Sequence, residues 1–194
     1  MPQADLATRF AAVLLSAEAA AGLDVHGRID AAVLVALFEP PAGGLHVVLT
    51  KRHDDLRRHA GEISFPGGRQ DNDETDLRIT ALREAEEEIG LPRDAVQLIG
   101  ALQPTPTIAT NYAVYPFVGL IEPGHTWAPQ TTEVEAILEL SLADISAGYE
   151  RRRLTRRRLP FRTDTYVVDE HLIWGATARI LADLLERVER AGLR

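Results

Sequence analysis

The stretch REAEEEIG, residues 83–90, places four glutamates within five positions, just before a glycine of the kind that ends helices. On a helix, carboxylates spaced in this way repel by about 0.2–0.5 kcal/mol per pair. The last turns of a helix also favour cations over carboxylates. The cluster therefore needs compensation, either from water on a solvated face or from a bound divalent cation.

The helix that carries these glutamates is predicted to span residues 76–89. Asp73, Thr75 and Asp76 offer side chains that can cap its start, and Gly90 followed by Pro92 closes its end in the expected order. The tract before it, residues 58–76, is rich in glycine, aspartate and short polar residues and predicts a long loop. Loops of that length inside a compact domain are usually functional.

A helical projection at about 100° per residue separates the four carboxylates. One sector is apolar and predicted to be buried: Ala81, Leu82, Ala85 and Ile89. Glu84 and Glu88 flank that sector one turn apart, Glu87 lies slightly further round, and Glu86 falls on the opposite flank. Carboxylate oxygens are ligands that Mg²⁺ prefers. The spacing leaves two alternatives open, a metal site along the Glu84–Glu88 edge and a solvated face.

The segment FPGGRQDNDE, residues 65–74, precedes the helix and offers a second element of a metal site. Glycine allows the backbone to approach a ligand closely, so the carbonyl of Gly68 can complete a metal's coordination. An ordinary tight turn is the alternative for these glycines.

The composition limits the classes of protein to consider. The chain has 194 residues, 45% of them hydrophobic, which suits a single domain with its own core. A net charge of −8 and a pI near 5.3 argue against a nucleic-acid partner. The absence of cysteine excludes disulfides, thiolate metal sites and cysteine nucleophiles, and fits a cytoplasmic location. We expect neither a secretory signal nor a membrane span, because no basic segment precedes an apolar run and no apolar run reaches ~20 residues.

Hydrophobic periodicity predicts strands that alternate with helices. The predicted strands are 31–38, 45–52, 96–102, 112–121, 134–140 and 165–174, and the predicted helices are 6–21, 76–89, 142–146 and 174–192. This interleaving predicts an α/β fold in which helices cover both faces of a sheet.

The glutamate helix resembles the signature of the Nudix hydrolases, G-x5-E-x7-R-E-U-x-E-E-x-G-U, where U is apolar. The second half of the signature matches at Arg83, Glu84, Ala85, Glu87, Glu88, Gly90 and Leu91. Gly68 and Glu74 match the spacing of the first half. The next gap then has eight residues, 75–82, instead of seven; alternatively, a seven-residue gap puts Thr75 where the glutamate belongs. The pairing of Glu74 with the arginine of the signature is the element that this departure affects.

A second segment, LTKRHDDLRRHAGEISFPGG (residues 49–68), resembles the region before the signature in the coenzyme A diphosphatase branch of that family. The branch pattern is L-L-T-x-R-x4-R-x3-G-x3-F-P-G-G. Its matching residues are Leu49, Thr50, Arg52, Arg57, Gly61, Phe65, Pro66, Gly67 and Gly68. Val48 replaces the first leucine, and the tract at 173–181 is also similar to that branch.

The resemblance implies a Nudix-type α/β/α sandwich around a mixed β-sheet. It covers most of the chain from about residue 33 onward and leaves the N-terminal helix outside, so we expect one domain with an N-terminal helical extension at about residues 1–25. It implies hydrolysis of coenzyme A, with Mg²⁺ or Mn²⁺, at its diphosphate. The products would be 3′,5′-ADP and 4′-phosphopantetheine, or the acyl form from an acyl-CoA.

Roles for the signature residues follow from combining the resemblance with the helical projection. We expect Glu84 and Glu88 to bind metal, with the Gly68 carbonyl completing the shell. Glu87 is expected to bind a second metal or to orient the attacking water. Arg83 is expected to orient Glu87 or to hold the preceding loop.

The general base and the substrate contacts are less constrained by the sequence. Glu133 and Glu135 lie just before or within a predicted strand and are candidate bases, although each could equally be a surface residue. His59 and His171 are weaker candidates. Arg52 and Arg57 suit bidentate contact with substrate phosphates; the alternative is a salt bridge to a nearby acid, Asp54, Asp55 or Glu62.

Two further features have open interpretations. The run RRRLTRRR, residues 151–158, carries six of the 21 basic residues. It could form an electropositive rim that attracts an anionic substrate, a solvated loop, or a surface that docks on a partner subunit. Trp174 could stack on an adenine or belong to the core.

Three functions remain as candidates at this stage. A coenzyme A diphosphatase is the first, and a Nudix hydrolase of another nucleoside diphosphate, such as NADH or ADP-ribose, is the second. The third is a non-catalytic Nudix-fold binding module, against which the intact Glu84, Glu87 and Glu88 argue. The oligomeric state is not predicted.

Overall fold

A computed structural model describes residues 3–23, 25–53, 61–107, 110–156 and 159–193, with side chains for all of them except Arg156 and Leu159. The strands in these ranges are β1 Ile29–Phe38, β2 His46–Arg52, β3 Ile63–Ser64, β4 Gly67–Arg69, β5 Gln97–Ala101, β6 Thr105–Pro106, β7 Tyr112–Leu120, β8 Val134–Ser141, β9 Tyr149–Arg156, β10 Leu159–Val168 and β11 His171–Ile173. The α-helices are α1 Gln3–Ala11, α2 Ala17–Ala21, α3 Leu77–Ile89, α4 Leu142–Ala147 and α5 Gly175–Arg190, and a 3₁₀ turn spans Arg93–Ala95.

The main sheet is mixed and centred on β1. β1 pairs in parallel with β7 along nearly its whole length, and β5 and β6 pair antiparallel with β7. β2 meets β1 only at Leu37 and Phe38 and then diverges from it, while β8 pairs antiparallel along the far side of β2. Two short strands occupy the gap, β4 against β1 and β3 against β2. This divergence places the backbone of β4 beside α3.

Both faces of β1 are buried, as expected for a central strand that pairs in parallel with its neighbour. On one face, Leu34 and its alternate neighbours pack with Ala81, Ala85 and Ile89 of α3. On the other face, Val35 and its alternate neighbours pack in a core with three helices, to which α5 contributes Leu181 and Leu184, α4 Ile145, and α1 Leu6 and Phe10. The sheet is therefore covered by helices on both faces, as the strand and helix pattern predicts.

The N-terminal helix predicted at residues 6–21 is wrong in extent. The structure has two helices there, and the chain between them turns so that Leu15 bridges to Ala101 beside β5. Ser16 then caps α2 by accepting from the amide of Ala19. A tertiary pairing outweighs the local helical pattern at this point.

Two other predictions need correction. The loop predicted at 58–76 contains β3 and β4, because its residues complete the gap between β1 and β2; residues 54–60 lie outside the described part of the chain. The strand predicted at 165–174 is a hairpin, in which β10 starts earlier and β11 follows a turn with Asp169 at φ 52°.

The strands β9, β10 and β11 form a separate three-stranded antiparallel sheet. Tyr166, Val168 and Ile173 of this sheet enter the same core as α5. The basic run is therefore strand over residues 151–156 and not loop, because β9 pairs with β10; Arg157 and Arg158 lie outside the described residues. Within the described ranges, no helix has both the length and the apolar character needed to cross a membrane.

Candidate active site

Helix α3 presents its glutamates as the helical projection predicts. Asp76 caps its start by accepting from the amide of Arg78 at 2.9 Å, and Gly90 ends it in the left-handed conformation at φ 70°. Glu88 is buried at 8% exposure and the Glu84 side chain is 18% exposed. The Glu87 side chain is 57% exposed and that of Glu86 is 45% exposed, the latter pairing with Arg93 at 2.7 Å.

Glu88 is held against the glycine-rich strand β4. Its Oε2 accepts a hydrogen bond from the amide of Gly67 at 3.0 Å, and its Oε1 lies 3.7 Å from Nη1 of Arg52. Burial first, and then the negative charges of Glu84 and Glu133, raise the pKa of Glu88 to about 7 against the opposing effects of the Gly67 amide and Arg52. A nearby cation would stabilise the charged form of a carboxylate in this position.

Glu84 lies directly against the Cα of Gly68. A Cβ built on Gly68 would be 2.4 Å from Cδ of Glu84, so any larger residue would displace the carboxylate. Burial raises the pKa of Glu84, while its contact with Arg83 opposes that shift. The glycine at this position is therefore required for close approach of the backbone to the glutamate edge.

Arg83 connects the glutamate helix to the loop after β4. Its Nη1 donates to Glu84 at 2.8 Å and to Glu87 at 3.1 Å, and its Nε donates to Oε1 of Glu74 at 2.9 Å. Its Nη2 donates to the backbone carbonyl of Arg69 at 3.2 Å. One guanidinium thus orients two glutamates and fixes the end of β4.

The one-residue departure before Arg83 does not break the Glu74–Arg83 pair. Glu74 also accepts from the Thr80 hydroxyl at 2.6 Å and from the Asp71 amide at 3.1 Å. Arg83 first, and then Thr80 and the Asp71 amide, lower the pKa of Glu74 to about 2 against a smaller opposing effect of burial. The turn over residues 71–74 brings the carboxylate back to the helix, so the extra residue is absorbed in the loop.

The donor chemistry at this edge fits a divalent cation. Glu84 and Glu88 are poorly solvated carboxylates of like charge whose pKa values are both raised, and a bound cation would relieve that burial cost. Across the described residues, no three acidic or histidine side chains lie together in an arrangement that could hold a metal ion. The present partners of these carboxylates are the Arg83 guanidinium and the Gly67 amide.

Glu133 lies close to the site, whereas Glu135 has another partner. Nη2 of Arg52 donates to Oε2 of Glu133 at 3.0 Å, so Arg52 lies between Glu133 and Glu88. Glu135 accepts from Nζ of Lys51 at 2.7 Å, and this bond lowers its pKa. The sequence suggested nearby acids as ion-pair partners of Arg52. The partners observed in the described residues, Glu88 and Glu133, are distant from it along the chain. Arg57, His59, Asp54 and Asp55 lie outside the described residues.

A cavity of about 820 Å³ opens on the other side of β4. It starts at Arg52, Gly67 and Gly68 and extends to the first residues of α5 and to β10. Trp174 lines it, half-buried, with its ring 6.2 Å from that of Phe161. The tryptophan is thus a wall of the cavity and not a fully buried core residue.

Sequence reasoning missed several members of this cavity. They are brought together from three separate strands, a loop and a helix: Ile63, Tyr112, Val114, Phe161, Arg162, Arg179 and Thr110. Ile63 and Arg179 lie within the segments 49–68 and 173–181, but neither was singled out there, and the contacts of all seven residues depend on long-range packing. No local signal in the sequence could have grouped them.

The sequence matches the NUDIX domain over residues 28–160. The chain belongs to the Nudix family. The uncharacterized Nudix hydrolases NudL of Salmonella paratyphi B and Salmonella newport are each 39% identical to it over 157 residues, which is 80% of both chains. The fold predicted from the resemblance, a mixed sheet flanked by helices, is confirmed.

Solved structures of other Nudix proteins share this fold. The match to the Nudix hydrolase RenU of M. smegmatis has a TM-score of 0.56 at 16% identity and covers 92% of each chain. The NUDIX domain of Shewanella oneidensis NrtR, complexed with ADP ribose, has a TM-score of 0.55 at 16% identity, covering 90% of this chain and 96% of that one. Family membership establishes a Nudix hydrolase acting on pyrophosphate bonds, a class that generally uses Mg²⁺ or Mn²⁺.

Proposed function

We propose that this Nudix hydrolase cleaves the diphosphate of coenzyme A, with Mg²⁺ or Mn²⁺, to 3′,5′-ADP and 4′-phosphopantetheine. Acyl-coenzyme A is a further substrate in this proposal. The observation that carries it is the position of β4, whose glycines touch the buried carboxylates and also line the 820 Å³ cavity. A diphosphate at β4 would have its phosphates at the glutamates and an organic substituent in the cavity.

The segment 49–68 supports coenzyme A over other diphosphates. Its residues surround the site: Arg52 contacts Glu88, Phe65 is buried at 2% exposure, the Gly67 amide donates to Glu88, and Gly68 lies against Glu84. Arg57, the other arginine of that segment, stays a predicted phosphate contact. The resemblance of this segment to the coenzyme A diphosphatase branch therefore concerns residues at the site and not a remote surface.

We assign the cation to Glu84 and Glu88, with Glu87 and the Gly68 carbonyl as further ligands. When bound, a divalent cation neutralises diphosphate charge and acidifies a water molecule. The residues of the chain position the reaction: the Gly67 amide fixes Glu88, and Arg83 holds Glu84 and Glu87. Positioning and charge account for most catalysis of phosphoryl transfer.

The proposed reaction is attack of water on one phosphorus of the diphosphate. The bond from that phosphorus to the bridging oxygen breaks, and the proton of the water passes to a carboxylate. Glu133 is the preferred base, since Arg52 holds it beside Glu88. Glu135 is the weaker candidate, because its partner is Lys51, whereas the partner of Glu133 is Arg52, which also lies beside Glu88. Glu87, largely exposed, is the other carboxylate that can orient the water.

The test is hydrolysis of a panel of diphosphates in the presence of Mg²⁺, with products separated by chromatography. Coenzyme A is expected to give 3′,5′-ADP with the highest kcat/KM of the panel. Faster cleavage of NADH or ADP-ribose would reject the substrate and favour the second candidate. No hydrolysis of any member would favour a binding module. A cytoplasmic location stays a prediction from composition.

A further inference from the structure

The wall of the cavity beside β4 carries more positive charge than its surroundings neutralise. Its charged lining residues are Arg52, Glu62, Arg69, Arg162 and Arg179. Arg52 contacts Glu133 and Glu88. Within the described ranges, no carboxylate forms an ion pair with Arg69, Arg162 or Arg179. Such a wall, in a protein of net charge −8, indicates a ligand that brings more than one anionic group.

Arg179 lies in the first turns of α5 at the edge of the cavity. Its Nη2 donates to the backbone carbonyl of Pro106, which is a neutral acceptor. Arg179 is exposed overall, and the atoms packed around part of its side chain lower its pKa by partial desolvation. The charge of Arg179 is therefore accessible from the cavity, and a phosphate there would add a charge-assisted contact to the neutral contact with Pro106.

Arg162 is placed opposite another arginine. In the register of β9 and β10 it lies directly across from Arg153, and like charges at such positions destabilise a sheet. Asp164 lies on the same face, next to Arg162 along the strand, and its Oδ1 accepts from the hydroxyl of Tyr149 at 2.9 Å. An anion in the cavity would relieve the repulsion between the two guanidinium groups.

The same end of the cavity offers a surface for a planar group. The rings of Phe161 and Trp174 are 6.2 Å apart and tilted by 47°, and both line the cavity. Trp174 precedes α5 without forming a side-chain cap, and Gly175 and Ala176 of the first turn also line the cavity. The two aromatic rings and the side chains of Arg162 and Arg179 thus all belong to β10, to α5 or to the residue that precedes α5.

We propose that Arg162 and Arg179 bind a phosphomonoester of the substrate that is separate from its diphosphate, and that the base beside it packs on Phe161 and Trp174. This inference rests on the proposed function, because coenzyme A carries such a phosphate on its adenosine. Arg69 adjoins Gly68 in β4 and is assigned to the diphosphate itself. The adenosine bisphosphate half of the substrate therefore occupies the cavity.

The alternative occupant of the cavity is the pantetheine arm or an acyl chain attached to it. Neither carries an anionic group that could neutralise Arg162 or Arg179. An uncharged arm packed over these two exposed arginines would remove water from them without supplying a charged partner. The charge of the wall therefore favours the nucleotide half in the cavity and the pantetheine arm outside it.

Binding of the nucleotide half can be measured without turnover. Isothermal titration of the full chain with adenosine 3′,5′-bisphosphate and with AMP compares ligands that differ by one phosphate. The bisphosphate is expected to bind at least about tenfold tighter than AMP, the size of one hydrogen bond to a charged group. Equal affinities of the two ligands would overturn the inference.

Variants of α5 separate the contact from a general charge effect. Arg179→Gln is expected to weaken bisphosphate binding at least about tenfold, and Arg162→Gln, at an exposed position, to act in the same direction. Arg190→Gln removes the same charge from the same helix outside the cavity and is the matched control. If Arg190→Gln weakens binding as much as Arg179→Gln, or if AMP affinity falls equally, the inference is wrong. Thermal melts establish that each variant is folded.

Kinetics then distinguish this inference from the proposed function. The kcat/KM ratio of coenzyme A to dephospho-coenzyme A should fall at least about tenfold in Arg179→Gln. An unchanged ratio, with coenzyme A still cleaved, rejects the inference and leaves the proposed function intact. If coenzyme A is not cleaved but the bisphosphate still binds through Arg179, the proposed function fails and the phosphate site remains.

Discussion

Glu88 holds a carboxylate where little water reaches it. Burial and the charge of Glu84 favour its protonated form, while the Gly67 amide and the Arg52 guanidinium favour its charged form. Glu84 and Glu88 thus occupy the two positions of the helix where the polar edge meets the core. Glu86, two residues from each, is outside this balance because it faces solvent and pairs with Arg93.

Replacing Glu88 by glutamine retains the shape of the side chain but removes its charge. We expect kcat/KM to fall more than a hundredfold, since even partners outside a metal's own ligands cost ~10–100-fold when lost. Glu86→Gln is the control, with activity expected within about twofold, because an exposed ion pair contributes little. Steady-state kinetics with Mg²⁺ measure both. Comparable losses in the two variants would remove Glu88 from the metal site.

The two glycines of β4 should differ when replaced by alanine. A Cβ on Gly68 meets the end of the flexible Glu84 side chain, whereas a Cβ on Gly67 lies 2.4 Å from the backbone carbonyl oxygen of Ala32. We therefore expect Gly68→Ala to lose activity while keeping its melting temperature, and Gly67→Ala to lose stability. Thermal melts and kinetics on the same samples check this. A Gly68→Ala protein as unstable as Gly67→Ala would contradict it.

At the scale of elements, the site depends on how α3, β4 and the loop between them are joined. Arg83 contacts Glu74 from the loop, the end of β4, and Glu84 and Glu87 from its own helix. The Glu74–Arg83 pair therefore sets the distance between the glycine-rich strand and the glutamate edge.

Glu74→Gln should destabilise the protein by about 2 kcal/mol at pH 7, the size of hydrogen bonds to a charged group. The pKa of Glu74 is lowered from 4.5 to about 2, so its contribution is present above pH 4.5 and is lost as pH falls towards 2. Urea unfolding at pH 7 and pH 3 should therefore show a smaller difference between wild type and variant at pH 3. A difference that does not change with pH would contradict this account.

At the scale of the whole molecule, one core joins the N-terminal and C-terminal segments of the described chain. Phe10 and Leu6 of α1 pack in the same cluster as Leu184 and Val188 of α5. Arg9 donates two hydrogen bonds to the carbonyl of Ala191 after α5. A single domain with a helical extension at residues 1–25 stays a prediction, and these contacts indicate that the extension contributes to stability.

Phe10 is fully buried, so Phe10→Ala should destabilise the protein by about 3–5 kcal/mol. Ile79→Ala is the control, because this side chain is 45% exposed and its loss should cost less than about 1 kcal/mol. Urea unfolding measures both. A loss for Phe10→Ala no larger than for Ile79→Ala would show that α1 is separable from the core.

The sequence of near neighbours along the chain was sufficient to predict the glutamate helix. Its ends at Asp76 and Gly90, and the different faces of Glu84, Glu86 and Glu88, follow from capping and from a period of 3.6 residues, which act between near neighbours. The same reasoning failed at residues 6–21, where pairing of Leu15 with Ala101 interrupts the helical pattern.

The sequence by itself determined the α/β class, the acidic edge of α3 and the glycines that approach it. Only the tertiary structure placed Glu133 beside Arg52, restored the Glu74–Arg83 pair across an extra residue, and grouped Arg162 and Arg179 with the aromatic rings. Contacts within a helical turn are set by the geometry of the backbone. Contacts between residues 81 positions apart depend on how the whole sheet twists and packs, which no short stretch encodes.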